Sequence, residues 1–218
     1  MIELKRRGAV LNIGVAGGPV PMMRDFVRTG HFDAVLTHNR FTLLDQSAEV
    51  WIDEAAAAGV GVINAAPFGG GLLARAPGAT SRYAYREASV SQLRAVRAMN
   101  DICLAFGFTL RAATLHFSVR DTRIASTLVG ASSSSRIDDL LVDLGAVPPD
   151  GLWPALHEVI STMGQYTLGS PEPSIRPCAR HLADGDQTAA MASISTRMPR
   201  SEQAIVVRAG KGSEKWRR

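Results

Sequence analysis

Lysine and tyrosine are scarce in this chain: of 218 residues, lysines stand only at 5, 211 and 215, and tyrosines only at 83, 85 and 166. An acid–base couple built from these two side chains therefore has few places to form, and none falls at the tip of an apolar run. The two cysteines, Cys103 inside a helical pattern and Cys178 near the end, make neither a disulfide framework nor a metal-binding spacing. They read as free thiols of a reducing cytoplasm. Long apolar stretches are missing too. The opening Met1-Ile-Glu-Leu-Lys-Arg-Arg7 carries charge where a signal peptide does, but no apolar run follows, and nothing is long enough to span a bilayer. Secretion and membrane insertion are disfavoured, and a cytoplasmic location is the expectation. Nor is there a Ser-His-Asp arrangement, a pair of carboxylates at a common mouth, or a histidine cluster for a metal.

What the chain does have is unevenly spread. Up to about residue 164, Leu, Val, Ile and Ala recur at regular spacing; from 165 to 218 the text turns to Ser, Pro, Gly and Gln with few large apolar residues. Acids and bases balance up to 165, so the whole formal charge of +4 sits in the tail. Residues 1–164 thus read as a folded unit and 165–218 as a disordered basic tail. Such a tail attracts polyanions weakly, without a specific nucleic-acid partner.

Four apolar runs read as buried strands: Leu11–Ala16, Asp33–His38, Val60–Ala65 and Ala125–Gly130. Near-continuous apolar character suits a parallel sheet covered by helices. Helical patterns follow them at Pro21–Thr29, Gln46–Ala58 and Ser135–Leu144. Two more, Val90–Phe106 and Leu110–Val119, are parted by Gly107, and Leu152 opens the last. Right-handed βα units repeating without hairpins build either an open doubly wound sheet or a closed eight-stranded barrel. Four strands cannot close a barrel, so a barrel reading makes the chain half of one. Its flanking strands then expose ladder groups that invite pairing, and self-association is expected.

The most informative segment is Val62-Ile-Asn-Ala-Ala-Pro-Phe-Gly-Gly-Gly-Leu-Leu73, a strand that breaks into a glycine turn. Leu128-Val-Gly-Ala-Ser-Ser-Ser-Ser-Arg136 repeats the scheme. Such turns set backbone N–H groups at the carboxyl edge of a sheet, where phosphates bind. Arg136, at the first turn of its helix, adds a permanent charge, and Asp139 a hydrogen-bond acceptor. His38-Asn39-Arg40 ends the second strand and points polar groups at the same mouth, an arrangement suited to a flat polar ring. Gly14-Val-Ala-Gly-Gly18 only superficially resembles a dinucleotide fingerprint, because its glycine spacing is wrong and Asp33 opens the next strand instead of closing it.

Taken together, Ile13-Gly-Val15, Phe32–Asp45, Gly59–Phe68 with Gly71-Leu-Leu73, and Arg123–Ser132 with Arg136 resemble the carboxyl-terminal half of the aldo-keto reductases, especially the branch of sugar and pyridoxal dehydrogenases. The resemblance runs from residue 1 to about 160. It implies an α/β fold, a (β/α)8 TIM barrel of which this chain holds strands five to eight, binding NADP or NAD. Carried over, Ala66, Pro67, Phe68 and Gly71 line the pyrophosphate; Gly130, Ala131, Arg136 and Asp139 surround the adenosine end; His38 or Asn39 faces the nicotinamide. The family often has Lys where Ala131 stands, which leaves the choice between NADP and NAD open, and it commonly has Ser-Asn where Ala16-Gly17 stands, so two contacts to the carboxamide that the resemblance implies are missing. Its Asp, Tyr, Lys and His catalytic group belongs to the first four strands.

The resemblance therefore implies an NAD(P)-dependent oxidoreductase, moving hydride between nicotinamide and an aldehyde or sugar lactol, whose catalytic half is absent from this chain. The alternative is a non-catalytic half-barrel acting as a nucleotide-binding or interaction fragment. No catalytic residue is expected here, and a small-molecule substrate is expected only where an N-terminal half completes the site.

Overall fold

The four apolar runs become neighbouring strands of one sheet. The computed structural model describes residues 1–167 and 203–207. Its strands are β1 (Gly14–Gly17), β2 (Ala34–His38), β3 (Gly61–Ala65), the short pair β4 (Arg82–Tyr83) and β5 (Arg86–Glu87), β6 (Ile124–Ala131) and β7 (Gln203–Val207). Its helices are α1 (Ile2–Arg6), α2 (Val20–Arg28), α3 (Glu49–Ala57), α4 (Val90–Ala105), α5 (Leu110–Val119), α6 (Ser134–Gly145) and α7 (Leu152–Thr167). Each expected βα unit is present with boundaries moved by a few residues. The fold class is α/β, with a parallel sheet of four strands. Helix α1, the β4–β5 hairpin and β7 are additions.

The sheet runs in the order β1-β2-β3-β6-β7. The first three pairings are parallel, with Val15 beside Val35, Val35 beside Val62 and Ala65 beside Leu128. Parallel pairing brings the carboxyl ends of β1, β2, β3 and β6 to one edge. That edge is the mouth.

Side chains alternate across the sheet, as strand geometry requires. Val15, Val35, Val62 and Ile124 pack with Met23 and Val27 of α2 and with Trp51, Ile52 and Ala55 of α3. On the other face Ala34, Leu36, Ile63 and Leu128 are half-buried, and Gly14 and Ala16 are exposed. Among the described residues, then, the runs are apolar on both faces but helices cover only one. Asn64 adds a polar tie: its Nδ2 donates to the Phe41 carbonyl at 2.9 Å and to Ser118 Oγ at 2.8 Å, and Ser118 meets Thr127 at 2.7 Å. This chain of bonds fastens β3 to α5 and β6.

A second core gathers Met99 and Cys103 of α4, Leu110 and Ala113 of α5, and Leu152 and Leu156 of α7 around Leu72 and Leu73. Helix α4 starts where Ser89 forms a reciprocal capping box with Gln92. Helix α5 starts where Thr109 Oγ1 accepts the Ala112 N–H. Burial pushes the Cys103 thiol up to about 11, so it is an inert core residue.

Strand β7 lies within the segment expected to be disordered and pairs antiparallel with β6, Gly130 beside Ala204. It fills the outer edge of β6, one of the two edges expected to stand open. The tail at 168–202 and 208–218 lies outside the described residues. No single helix among those described is long and apolar enough to cross a membrane.

Two carboxylates brace the ends of strands. Asp33 accepts Lys5 Nζ at 2.6 Å and the Ile13 N–H at 2.9 Å. Asp121 accepts Arg123 Nη2 at 2.6 Å, while Arg123 Nη1 also reaches Asp53 of α3 at 2.6 Å. Burial works to raise both carboxyls, but the hydrogen bonds outweigh it and hold them below the ordinary range. A folded pKa below the unfolded one stabilises above the unfolded value of about 3.9 and fades as pH falls through the folded value. Urea midpoints should therefore stay level from neutral pH to about 5 and drop below about 4. A midpoint unchanged between pH 5 and 3 would contradict this.

Candidate functional site

Strand register gathers the candidate residues at the mouth. His38 stands beside Ala65. The Asn39 N–H donates to the Ala65 carbonyl at 3.3 Å, and the Ala66 N–H to the Leu128 carbonyl at 3.1 Å. His38, Asn39, Ala66 and the Gly130-Ala131 step thus lie on consecutive strand tips. Both Asn39 (φ 59) and Ala66 (φ 56) take the left-handed conformation that non-glycine residues usually avoid. Strain of this kind, on the order of 1–3 kcal/mol per residue, persists where the surroundings impose it and clusters at binding sites.

The glycine turn is built differently from a free phosphate loop. Gly69–Gly71 form a single 3-10 turn, all with positive φ. The Gly69 N–H is already given to the Ala66 carbonyl and the Gly71 N–H to the Phe68 carbonyl, each at 3.0 Å. These two amides shape the loop instead of waiting for an anion. Pro67 is buried, and the Phe68 side chain packs against Leu115, Val129 and Leu140. Phe68 is thus a core contact, and any part that Pro67 and Phe68 play in binding falls to their backbone.

Anion-friendly features are stronger at β6 and α6. Gly130 is exposed, and a Cβ there would meet nothing within 4 Å. The α6 N-cap, Ser133, makes no side-chain capping bond, so the first-turn N–H groups keep their donor capacity. Arg136 is exposed at this positive end of the helix dipole and has no ion-pair partner among the described residues. A cation is disfavoured there unless an anion joins it. Ala131 is buried, with its side chain turned into the protein. Asp139 is less free than the sequence suggests: its Oδ2 accepts Arg111 Nη1 at 3.4 Å, while Arg111 Nε donates to Asp143. A dinucleotide fits the open Gly130 step, the uncapped α6 terminus and Arg136 better than the internally bonded amides of the glycine turn.

Tyr85 was not legible from the sequence. The β4–β5 hairpin turns at Ala84 and Tyr85, both with positive φ (47° and 71°), a two-residue geometry that normally calls for Asn or Gly. The hairpin is mounted on the mouth. Tyr83 is buried with its Oη 2.8 Å from Thr42 Oγ1, the Ala84 N–H donates to the Gly69 carbonyl at 3.1 Å, and Arg82 Nη2 donates to the Tyr85 carbonyl at 3.0 Å. No tip of the four parallel strands carries a tyrosine, as expected, but the hairpin turn brings one to the mouth from outside the sheet. The Tyr85 Oη lies 3.3 Å from His38 Nε2, and the two rings are parallel within 8° at 5.7 Å between centroids. Asn39 Nδ2 donates to His38 Nδ1 at 2.9 Å, which leaves the proton of the neutral ring on Nε2, facing the phenol oxygen. Burial lowers the His38 pKa and favours that neutral form. Lys5, the lysine among the described residues, is held by Asp33 at the opposite edge.

Comparison with known proteins points to one family. A model described as the aldo/keto reductase family matches residues 1–146. Pyridoxal 4-dehydrogenase of Microbacterium luteolum is 27% identical over 158 residues, 72% of this chain and 46% of that protein. D-threo-aldose 1-dehydrogenase of a Pseudomonas species is also 27% identical, over 72% of this chain and 48% of that protein. L-galactose dehydrogenase of Arabidopsis thaliana is 28% identical over 63% and 43% respectively. The chain thus spans about half the length of the curated relatives it matches. A solved aldo-keto reductase of Bacillus halodurans, in its holo form, superposes with a TM-score of 0.57 at 18% identity, covering 74% of this chain and 52% of that one.

Proposed function

The chain belongs to the aldo/keto reductase family, and we propose that its mouth is the cofactor-holding part of an NAD(P)-dependent oxidoreductase acting on an aldehyde or a sugar lactol. The observation that carries this reading is the convergence of His38, Asn39, Ala66 and Gly130 on consecutive strand tips beside an uncapped helix end bearing Arg136, which has no ion-pair partner among the described residues. In this reading β1, β2, β3 and β6 are staves five to eight of a (β/α)8 barrel. The half-exposed face carrying Leu36, Ile63 and Leu128 supports it, since that face would look into the barrel. Gly130, the α6 terminus and Arg136 hold the phosphates and ribose of the adenosine end. Backbone at Ala66–Gly71 flanks the pyrophosphate, and His38 with Asn39 faces the nicotinamide. When bound, the dinucleotide supplies or takes up hydride. Arg136 is also the cation available for a 2′-phosphate, in the absence of a lysine at position 131.

Turnover requires more than these residues. Among the described residues no lysine reaches the mouth, so in this reading the chain binds dinucleotide without reducing aldehydes until a complementary βα segment supplies the proton-handling groups. The outer edge of β1, unpaired among the described residues, is one place for such a segment, or a second copy, to pair. Calorimetry with ADP-ribose and NADH, alongside an aldehyde-dependent NADPH oxidation assay, tests both halves of the proposal. Binding without turnover is expected. Arg136→Gln should weaken ADP-ribose by roughly 3- to 30-fold, below the full worth of a charge-assisted hydrogen bond because the guanidinium is exposed to solvent. Absence of ADP-ribose binding overturns the cofactor reading, and aldehyde turnover by the chain alone overturns the incomplete site.

A further inference from the structure

Tyr85 occupies a backbone position that glycine, asparagine or aspartate accommodates more easily. Its φ of 71° suits glycine, its neighbour Ala84 is left-handed too, and the side chain is 69% exposed, so no core packing compensates for the strain. Local rules broken without a packing return mark functional positions. What the residue does achieve is alignment. The hairpin is clamped to the glycine turn through Ala84 and Gly69 and to the loop after β2 through Tyr83 and Thr42, which sets the phenol parallel to the His38 imidazole at the mouth. Behind that imidazole, Asn39 is only 5% exposed and its Oδ1 has no hydrogen-bond partner among the described residues. A buried acceptor without a partner is an independent sign that this corner is built to meet a donor.

We infer that Tyr85 and His38 form a stacking subsite for a flat pyridine-type ring, with Tyr85 presenting its open face to the ring and His38 fixing the phenol's plane. The inference rests on the cofactor reading above and extends it to a hairpin residue. Two sources carry such a ring, the nicotinamide of a dinucleotide and the heteroaromatic ring of a substrate, and three probes separate them: NADH, ADP-ribose, which lacks the nicotinamide, and pyridine-4-carbaldehyde.

Tyr85→Gly removes the ring while suiting the left-handed turn, so the variant should melt at or above the parent temperature. Loss of one aromatic stack should weaken the ring-bearing ligand by roughly 5- to 100-fold. Tyr85→Phe, which keeps the ring and loses only the hydroxyl, should stay close to the parent. Weaker NADH with unchanged ADP-ribose supports the subsite and names nicotinamide as its occupant; weaker pyridine-4-carbaldehyde with both nucleotides unchanged supports it with a substrate ring. Equal weakening of ADP-ribose, or no change with any probe, overturns it. So does a Tyr85→Gly protein that melts well below the parent, because the phenol would then be a structural prop. If the parent binds ADP-ribose but neither ring-bearing probe, the stacking inference alone falls. If it binds no nucleotide at all, the cofactor reading falls and pyridine-4-carbaldehyde still decides the stack.

Discussion

Gly69→Ala should loosen the mouth and lower the stability of the domain by about 2–5 kcal/mol, the sum of a left-handed alanine and an overpacked contact. At this position φ is +56°, and an added Cβ would lie 2.1 Å from the Tyr83 Cε2 atom. Tyr83 cannot step aside cheaply, since it is buried and bonded to Thr42. The hairpin would have to lift, taking Tyr85 away from His38. Gly70→Ala is the control: its φ is +75°, but the nearest atom to a Cβ is the Ala84 nitrogen at 3.5 Å, so only the backbone term of about 1–2 kcal/mol remains. Denaturant midpoints of both variants, with NADH affinity beside them, check the ranking. Equal losses at the two positions would show that the Tyr83 contact yields.

Trp51→Ala should cost about 3–5 kcal/mol, the usual range for deleting a large buried aromatic. Trp51 is 1% exposed and lies between α3 and the helix-covered face of the sheet, in the cluster that holds Val35, Val62 and Ile124. A loss of that size is a large share of the 5–15 kcal/mol that typically holds a domain together. The indole Nε1 has no hydrogen-bond partner among the described residues, so Trp51→Phe removes an unpaired buried donor along with volume and should cost far less. Urea unfolding followed by circular dichroism distinguishes the two. A phenylalanine variant as unstable as the alanine one would mean that the indole nitrogen has a partner after all.

The sheet was legible because continuous Val, Ile and Leu runs between helical patterns leave few arrangements open. The boundaries were less so, and for local reasons. Leu11–Ile13 reads as strand, but the Ile13 N–H goes to the Asp33 carboxylate, and the ladder begins at Gly14. Gln46–Ser47 reads as helix, but Thr42 Oγ1 takes the Leu44 and Asp45 N–H groups and Ala48 bonds back to Arg40, so α3 waits until Glu49. Side chains competing with the backbone cannot be read from periodicity. At the mouth, His38 and Asn39 were legible as polar residues ending an apolar strand. The packing of the half-buried Phe68 ring against Leu115 and Val129 was not, because it depends on a helix far away in sequence. The Arg82–Glu87 hairpin has no Gly, Asn or Asp at its turn, and without that signal Tyr85 could not be placed beside His38.

Strand β7 has a thermodynamic consequence for anything that would extend the sheet. It runs antiparallel along β6 from Ala131 to Thr127, on the side away from β3, so its five residues use hydrogen-bonding groups that an incoming parallel stave would need. Enlargement at that border is an exchange reaction, not a simple addition, and only a newcomer whose pairing outweighs the displaced ladder can dock there. Among the described residues no strand occupies the border at β1, and growth of the sheet should start from that side.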